Sequence, residues 1–224
     1  MLNLKYNNKS ISISCDGGAA TGKSTGAKMI AKKYKLKFLS SGLLYRYSSF
    51  LILKYKPKNK IDFLNKRLKK LNYKRIEKIN LHTAKISQYS SIIAKNYQIR
   101  KILKKFQLNF AKKNKKHCID GRDISTKILP NSDVKFFFKC NLTVASKRRY
   151  KELKLLDPKI KFNSVKKAIR NRNILDTKRK HSPLLKHRNS IEIDTGKLNK
   201  RQMLTRMSKY VEKVLKEKYG YRRN

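Results

Sequence analysis

The sequence predicts an α/β fold in which five parallel strands form one sheet that is covered by helices on both faces. Short β-type segments alternate along the chain with longer segments of helical periodicity, and this alternation is typical of doubly wound parallel sheets. The chain also opens with a strand, a glycine-rich turn, a helix and a second strand, which together make a βαβ unit. At 224 residues we expect a single domain with a substantial core.

The N-terminal part of the chain contains the clearest local signals. Residues 10–15 alternate serine with isoleucine and end in cysteine, which predicts a strand. Asp16-Gly17-Gly18 predicts the turn that follows it. Helical spacing after Ser24, a short strand at 37–39 and a helix at 42–54 come next. Pro57 lies in a break, and the lysine-rich stretch to about residue 80 predicts one or two short helices.

The remaining elements alternate in the same way. Helical spacing from about 83 to 114 predicts one long helix or two consecutive helices. Strands are predicted at 117–119, 134–140 and 190–194, and helices at 143–153, about 164–173 and 200–218. The helix predicted at about 164–173 merges into a charged stretch at 176–188. Five strands in this alternation account for the expected sheet.

The chain is very basic, with 60 Lys and Arg residues against 13 Asp and Glu residues and a formal net charge of +47. Such a charge attracts polyanions without regard to their sequence. The lysines are nevertheless spread along the whole chain, whereas a nucleic-acid-binding surface concentrates its basic residues. We therefore expect weak non-specific polyanion binding and no specific nucleic-acid partner. The 15 arginines, far fewer than the 45 lysines, are the better guide to chemistry.

Membrane and metal-binding classes are not favoured. No apolar run approaches the roughly 18 residues that a membrane helix requires. The first nine residues, Met-Leu-Asn-Leu-Lys-Tyr-Asn-Asn-Lys, lack the apolar stretch and cleavage site of a signal peptide. The three cysteines and four histidines have no metal-ligand spacing. We expect a cytoplasmic monomer without membrane contact and without a zinc site.

One segment carries specific chemistry. Gly17-Gly18-Ala19-Ala20-Thr21-Gly22-Lys23-Ser24 matches the phosphate-loop pattern G-x-x-x-x-G-K-[ST] between a predicted strand and a predicted helix. Its backbone N–H groups and the start of the helix favour an anion. Lys23 is expected to reach the β and γ phosphates and the Ser24 hydroxyl to ligate Mg²⁺. The loop, with Thr25, therefore predicts a nucleoside triphosphate site that takes ATP and Mg²⁺.

Three further motifs follow in order. Ser41-Gly42-Leu43-Leu44-Tyr45-Arg46 comes after the second strand, Asp120-Gly121-Arg122-Asp123 after the third, and Arg172 with Asp176-Thr177-Lys178-Arg179 and Pro183-Leu184 near the end. In these motifs the chain resembles the bacterial cytidylate kinases from about residue 11 to 214. Residues 148–153, Arg-Arg-Tyr-Lys-Glu-Leu, are similar to the helix that leads into the family's lid.

The resemblance implies a P-loop kinase core with two appended parts. The core would comprise about 1–46, 98–153 and 182–224, the monophosphate-binding segment about 47–97 and the lid about 154–181. The implied reaction is phosphoryl transfer from MgATP to CMP or dCMP, giving CDP or dCDP and ADP. The small-molecule partners would therefore be these nucleotides.

The resemblance also implies a set of site residues. Those expected to contact the monophosphate are Ser41, Tyr45, Arg46, Ser91, Arg100, Asp120, Arg122, Asp123, Arg172, Asp176 and Arg179. Arg148 and Arg149 are the candidate lid arginines for ATP. Lys23, Arg122 and Arg172 would stabilise the transferring phosphoryl group, and Asp120 would hold a Mg²⁺-bound water.

The chemistry of these residue types agrees with the implied roles. Cytosine presents acceptors at O2 and N3 and an amino donor at N4, which suits an arginine such as Arg100 and a serine oxygen such as that of Ser91. The carboxylate of Asp176 can accept hydrogen bonds from ribose hydroxyls. Arginine forks bind phosphate with two parallel bonds, which lysine cannot do.

Several departures from the family pattern, and several alternative functions, accompany the resemblance. Gly18 stands where the family commonly has proline, and Ser125 replaces a frequent glycine after Arg-Asp. An adenylate, uridylate or shikimate kinase would share the loop and the sheet. A nucleic-acid-binding P-loop protein would instead use the basic surface.

Overall fold

The computed structural model describes residues 9–69 and 71–220. Its sheet consists of β1 (Ile11–Gly17), β2 (Lys37–Ser40), β3 (Lys116–Gly121), β4 (Val134–Lys139) and β5 (Ile191–Asp194). The strand order is β2-β3-β1-β4-β5 and every pair is parallel, so the predicted sheet is confirmed. The outermost parts of the expected core, 1–8 and 221–224, lie outside the described residues, as do most of the residues that argued against a signal peptide.

Nine helices of the described residues surround this sheet. They are α1 (Lys23–Lys33), α2 (Ser41–Tyr55), α3 (Lys60–Lys69), α4 (Tyr73–Glu77), α5 (Ala84–Ile93), α6 (Tyr97–Lys113), α7 (Leu142–Lys154), α8 (Phe162–Lys178) and α9 (Lys200–Tyr219). The helical stretch from 83 to 114 is thus two helices. They separate at 94–96, where the Asn96 side chain accepts a hydrogen bond from the N–H of Ile99 and caps α6.

Two elements differ from the sequence-based expectations. The helix expected to end near 173 continues to Lys178, and a π-helical turn at Ile124–Ile128 was not predicted. The expected boundary between the core (to about 46) and the monophosphate-binding segment (from about 47) falls inside α2.

Each face of the sheet is covered by a separate apolar cluster. Phe136 and Phe138 of β4 pack with α1 and α9 on one face, whereas Leu39 and Ile119 pack with α2, α3 and α6 on the other. A smaller cluster joins α7 and α8. Among residues 9–69 and 71–220, no helix is long and apolar enough to cross a membrane.

The packing on the first face explains a glycine inside a helix. A glycine costs about 1 kcal/mol in a helix interior, yet Gly26 lies in the first turns of α1. A Cβ on Gly26 would lie 2.7 Å from Cε1 of Phe138. Gly26 therefore lets α1 approach β4 closely.

The register of the strands brings the predicted motifs together. Asp16 of β1 pairs with Gly121 of β3, and Ser40 of β2 pairs with Asp120. The carboxyl ends of these three strands therefore form one edge, which is where parallel sheets bind their ligands.

Candidate active site

The phosphate loop connects β1 to α1. Gly22, at the N-cap of α1, has φ 78°, a left-handed conformation that favours glycine. Position 17 requires glycine for steric reasons, because a Cβ there would lie 2.4 Å from the carbonyl oxygen of Phe138. The loop therefore has the tight backbone and the open helix N-terminus that an anion site needs.

Lys23, the first residue of α1, is buried in positive surroundings. Its pKa is lowered to about 7, first by burial and then by the positive charge of Arg122, with further contributions from Arg172 and Arg46. A bound polyphosphate would offset both effects, since it would supply negative charge at the same place. Lys23 therefore fits its predicted role.

Ser24 and Asp120 form the second part of the phosphate site. The Ser24 hydroxyl donates a hydrogen bond to Oδ2 of Asp120, while Oδ1 of Asp120 is buried without a hydrogen-bond partner. Mg²⁺ prefers oxygen ligands and keeps several waters when it arrives with a nucleotide. The serine hydroxyl and the spare carboxylate oxygen match that donor set.

Five of the eleven residues predicted to contact the monophosphate form one charged cluster. Arg100 pairs with Asp123, and Nε of Arg122 donates to Asp176 over 2.8 Å. Arg179 lies between the two carboxylates, 3.7 Å from Asp123 and 3.4 Å from Asp176. Burial alone would raise the pKa of Asp176, but the neighbouring arginines outweigh it and hold that pKa below its ordinary value. The arginines of the cluster therefore favour the ionised form of the Asp176 carboxylate.

Two further arginines retain unused donors. The Nε atoms of Arg46 and Arg172 are buried without a hydrogen-bond partner, and the carboxylate of Asp176 is 4.0 Å from Nε of Arg172. Burial and the neighbouring positive charges lower the pKa of Arg46 to about 9 and that of Arg172 to about 10. Together with Lys23, these groups leave positive charge uncompensated beside the phosphate loop, which suits phosphate groups.

Ser91 and Arg100, the residues expected to contact the base, lie on α5 and α6. The Arg100 guanidinium is 5.7 Å from the centre of the Tyr45 ring, and its Nη1 donates to the carbonyl of Ala94 over 3.2 Å. Ser91 is buried on α5, and its hydroxyl reaches the carbonyl of Ser87 at 3.4 Å. Ser41 is buried where β2 meets α2. Arg100 therefore already uses part of its hydrogen-bonding capacity within the protein.

The two candidate lid arginines have different surroundings. Arg148 donates to the hydroxyl and the carbonyl of Thr195 at 2.8 and 2.7 Å, and a Cβ on Gly22 would lie 3.6 Å from its Nη1. Arg149 instead binds Glu152 and the carbonyl of His82 at 2.9 and 2.8 Å. Arg148 thus lies beside the phosphate loop, whereas Arg149 joins α7 to the segment before α5.

Three residues of this site were not anticipated from the sequence. Asn173, which follows Arg172, accepts a hydrogen bond from the N–H of Ala19 in the phosphate loop over 2.9 Å. Thr195, which follows β5, donates to the carbonyl of Thr21 over 2.8 Å. Asp16, which precedes the loop, binds the turn after β3. Asn173 and Asp16 each adjoin a residue already selected, whereas nothing in the sequence pointed to Thr195.

Comparisons with known proteins agree with this geometry. The family model described as "Cytidylate kinase" matches residues 13–213. Curated cytidylate kinases of Mesomycoplasma hyopneumoniae and Clostridium tetani are 34% and 32% identical to this chain. The two alignments cover 91% and 92% of this chain, and 94% and 96% of the respective relatives.

A solved structure of an uncharacterized protein from Eubacterium ventriosum supports the fold alone. It has a TM-score of 0.53 and 16% identity, and the alignment covers 92% of this chain and 99% of that chain. The family match spans nearly the whole sheet, the phosphate loop and the arginine cluster. The chain therefore belongs to the cytidylate kinase family.

Proposed function

We propose that this chain transfers the γ-phosphoryl group of MgATP to CMP or dCMP, giving ADP and CDP or dCDP. The observation that carries the proposal is the block of cations formed by buried Lys23 and by half-buried Arg46 and Arg172, whose Nε atoms are buried without a hydrogen-bond partner. It lies between a phosphate loop and a carboxylate–arginine network. Such a block is suited to hold two phosphate groups together while negative charge moves between them.

The ATP side of the proposed site is formed by the loop and by α7. Residues 17–25 would bind the triphosphate, with Lys23 at the β and γ phosphates, and Arg148 would approach the same group from α7. Ser24 would ligate Mg²⁺ and Asp120 would accept from a water of that ion, which supplies charge neutralisation when bound.

The CMP side is formed by the network across the cleft. Arg46, Arg122 and Arg172 would bind the α-phosphate, and Asp176 would accept from the ribose. Arg100 and Ser91 would contact the edge of the cytosine. Asp123 would hold Arg100 in position, and Arg179 would hold Asp176. Ser41 and Tyr45 would line the rest of the CMP site. These roles divide the chain into a core of about 1–46, 98–153 and 182–224, a monophosphate-binding segment of about 47–97 and a lid of about 154–181.

The reaction requires little from a general base. The attacking oxygen of CMP is already anionic, so the residues have to align it with the γ-phosphorus and neutralise charge. We assign this task to Lys23, Arg122 and Arg172. Arg149 lies near enough to influence Arg46 and Arg172, and we assign it to the closure of α7 onto the monophosphate segment.

A substrate profile tests the proposal. Purified protein with MgATP is offered CMP, dCMP, UMP, AMP, shikimate or single-stranded RNA, and ADP release is followed. We expect CMP to give the highest kcat/KM, with Lys23→Ala lowering turnover at least about 100-fold and Lys32→Ala, on the exposed face of the same helix, leaving it unchanged. A preference for AMP, UMP or shikimate, or ADP release only with RNA, would refute the proposal.

A further inference from the structure

Asp16 is a buried carboxylate immediately before the phosphate loop, and its side chain serves a different part of the site. It is 0% exposed. Its Oδ1 accepts from the N–H of Ile124 over 2.8 Å, and its Oδ2 accepts from the N–H and the hydroxyl of Ser125 over 2.7 and 2.6 Å. Each of the side-chain hydrogen bonds described for Asp16 thus goes to the turn after β3.

That turn carries two residues of the CMP cluster. Asp123 is the N-cap of the π-helical turn at Ile124–Ile128, and Arg122 precedes it. The first N–H groups of a helical turn have no partner within the turn, and the Asp123 side chain makes no capping bond here because it pairs with Arg100. Asp16 supplies the missing acceptors from the neighbouring strand.

The position of Ser125 strengthens this connection. The chain has serine at a place where the family often has glycine, and the hydroxyl adds a third hydrogen bond to the same carboxylate. Three donors around one buried carboxylate fix both the height and the rotation of the turn over the sheet. Arg122 and Asp123 lie directly beside it, so their direction depends on that attachment.

We propose that Asp16 is a positioning residue for the nucleoside monophosphate, because it holds the Ile124–Ser125 backbone so that Arg122 meets Asp176 and Asp123 meets Arg100. The inference rests on the proposed function. It predicts that a residue next to the ATP loop acts on CMP and not on ATP.

The test compares steady-state kinetics of two carboxylate-to-amide variants. Asp16→Asn keeps the side-chain volume but turns one acceptor into a donor that faces N–H groups. The matched control is Asp133→Asn, since Oδ2 of Asp133 also accepts from a backbone N–H and a hydroxyl, those of Ser12, both over 2.7 Å, at the amino end of β1. We expect Asp16→Asn to raise KM for CMP at least about tenfold, as for a lost buried charged hydrogen bond, and to leave KM for ATP within about twofold.

The control and a milder variant keep the test decisive. Asp133→Asn should leave both KM values within about twofold, and Ser125→Ala, which removes one of the three hydrogen bonds, should raise KM for CMP by a smaller factor. If Asp16→Asn does not fold, Ser125→Ala decides by the same criterion. Parallel increases of both KM values, a loss of kcat alone, or an equal effect of Asp133→Asn would overturn the inference. A wild-type protein that does not phosphorylate CMP would instead refute the proposed function.

Discussion

Replacing Lys23 by methionine should stabilise the nucleotide-free protein while it abolishes activity. Methionine keeps the unbranched apolar stem and removes the ammonium group. Burial of that ammonium, and then the positive charges of Arg122, Arg172 and Arg46, lower its pKa to about 7. The native state therefore binds this proton less tightly than the unfolded chain does, where the pKa of lysine is near 10.4.

The magnitude follows from that difference in proton affinity. Below pH 7 both states carry the proton, and the whole electrostatic cost falls on the native state. Between pH 7 and about 10 the unfolded chain binds more protons, so stability rises with pH in this window. Linkage gives a cost of about 4 kcal/mol at pH 7 and about 2 kcal/mol at pH 9. Lys23→Met should recover a large part of it.

Denaturant unfolding of the nucleotide-free protein measures the effect. Wild type, Lys23→Met and Lys32→Met are unfolded in urea at pH 7 and pH 9 in a phosphate-free buffer, because phosphate would occupy the site. We expect Lys23→Met to be more stable than wild type by at least about 1 kcal/mol at pH 7, with a smaller gap at pH 9. Lys32 is exposed on the same helix, and its variant should match wild type.

Two results would refute this reasoning. One is a Lys23→Met protein that is less stable than wild type at pH 7, which would mean that packing of the lysine stem outweighs its charge. The other is a gap that stays constant from pH 7 to pH 9. With saturating MgATP the order should reverse, since wild type gains binding free energy that the variant lacks.

Three further predictions concern other parts of the site. Arg100→Met should lower kcat/KM for CMP at least about tenfold and shrink the preference over UMP, with KM for ATP unchanged. The variant should also lower Tm, because Asp123 loses the Arg100 partner and keeps, among the residues that the structure describes, the ion pair with Arg179, 3.7 Å away. Equal losses for CMP and UMP would show that Arg100 does not read the base. Asn173→Ala should raise KM for ATP about fivefold by leaving the N–H of Ala19 without its acceptor, and Asn173→Asp should restore it in part; an unchanged KM in both variants would contradict this. Binding to RNA should be weak and lost near physiological salt, and nanomolar binding that persists in a filter or anisotropy assay at that salt would show that the basic surface is specific.

The sequence by itself determined the features that depend on residues close together along the chain. The phosphate loop is a contiguous eight-residue pattern, so its backbone geometry and the role of Lys23 could be predicted without the sheet. The alternation of strands and helices predicted parallel strands, because a strand that returns through a helix runs in the same direction. The resemblance to the cytidylate kinases singled out Arg46, Arg100, Arg122 and Arg172, and the scarcity of arginine against a background of lysine agreed with that choice.

The tertiary structure decided which of these residues touch each other. Arg122 and Asp176 are 54 residues apart in the sequence, and Asp16 lies 108 residues from the N–H of Ile124 that it binds. Such pairs depend on strand register and on the approach of α8 to the sheet, which local periodicity does not encode. Adjacent residues of a helix point about 100° apart, which predicts different surroundings for Arg148 and Arg149. The packing of α7 decided that Arg148 lies beside the phosphate loop and Arg149 beside His82.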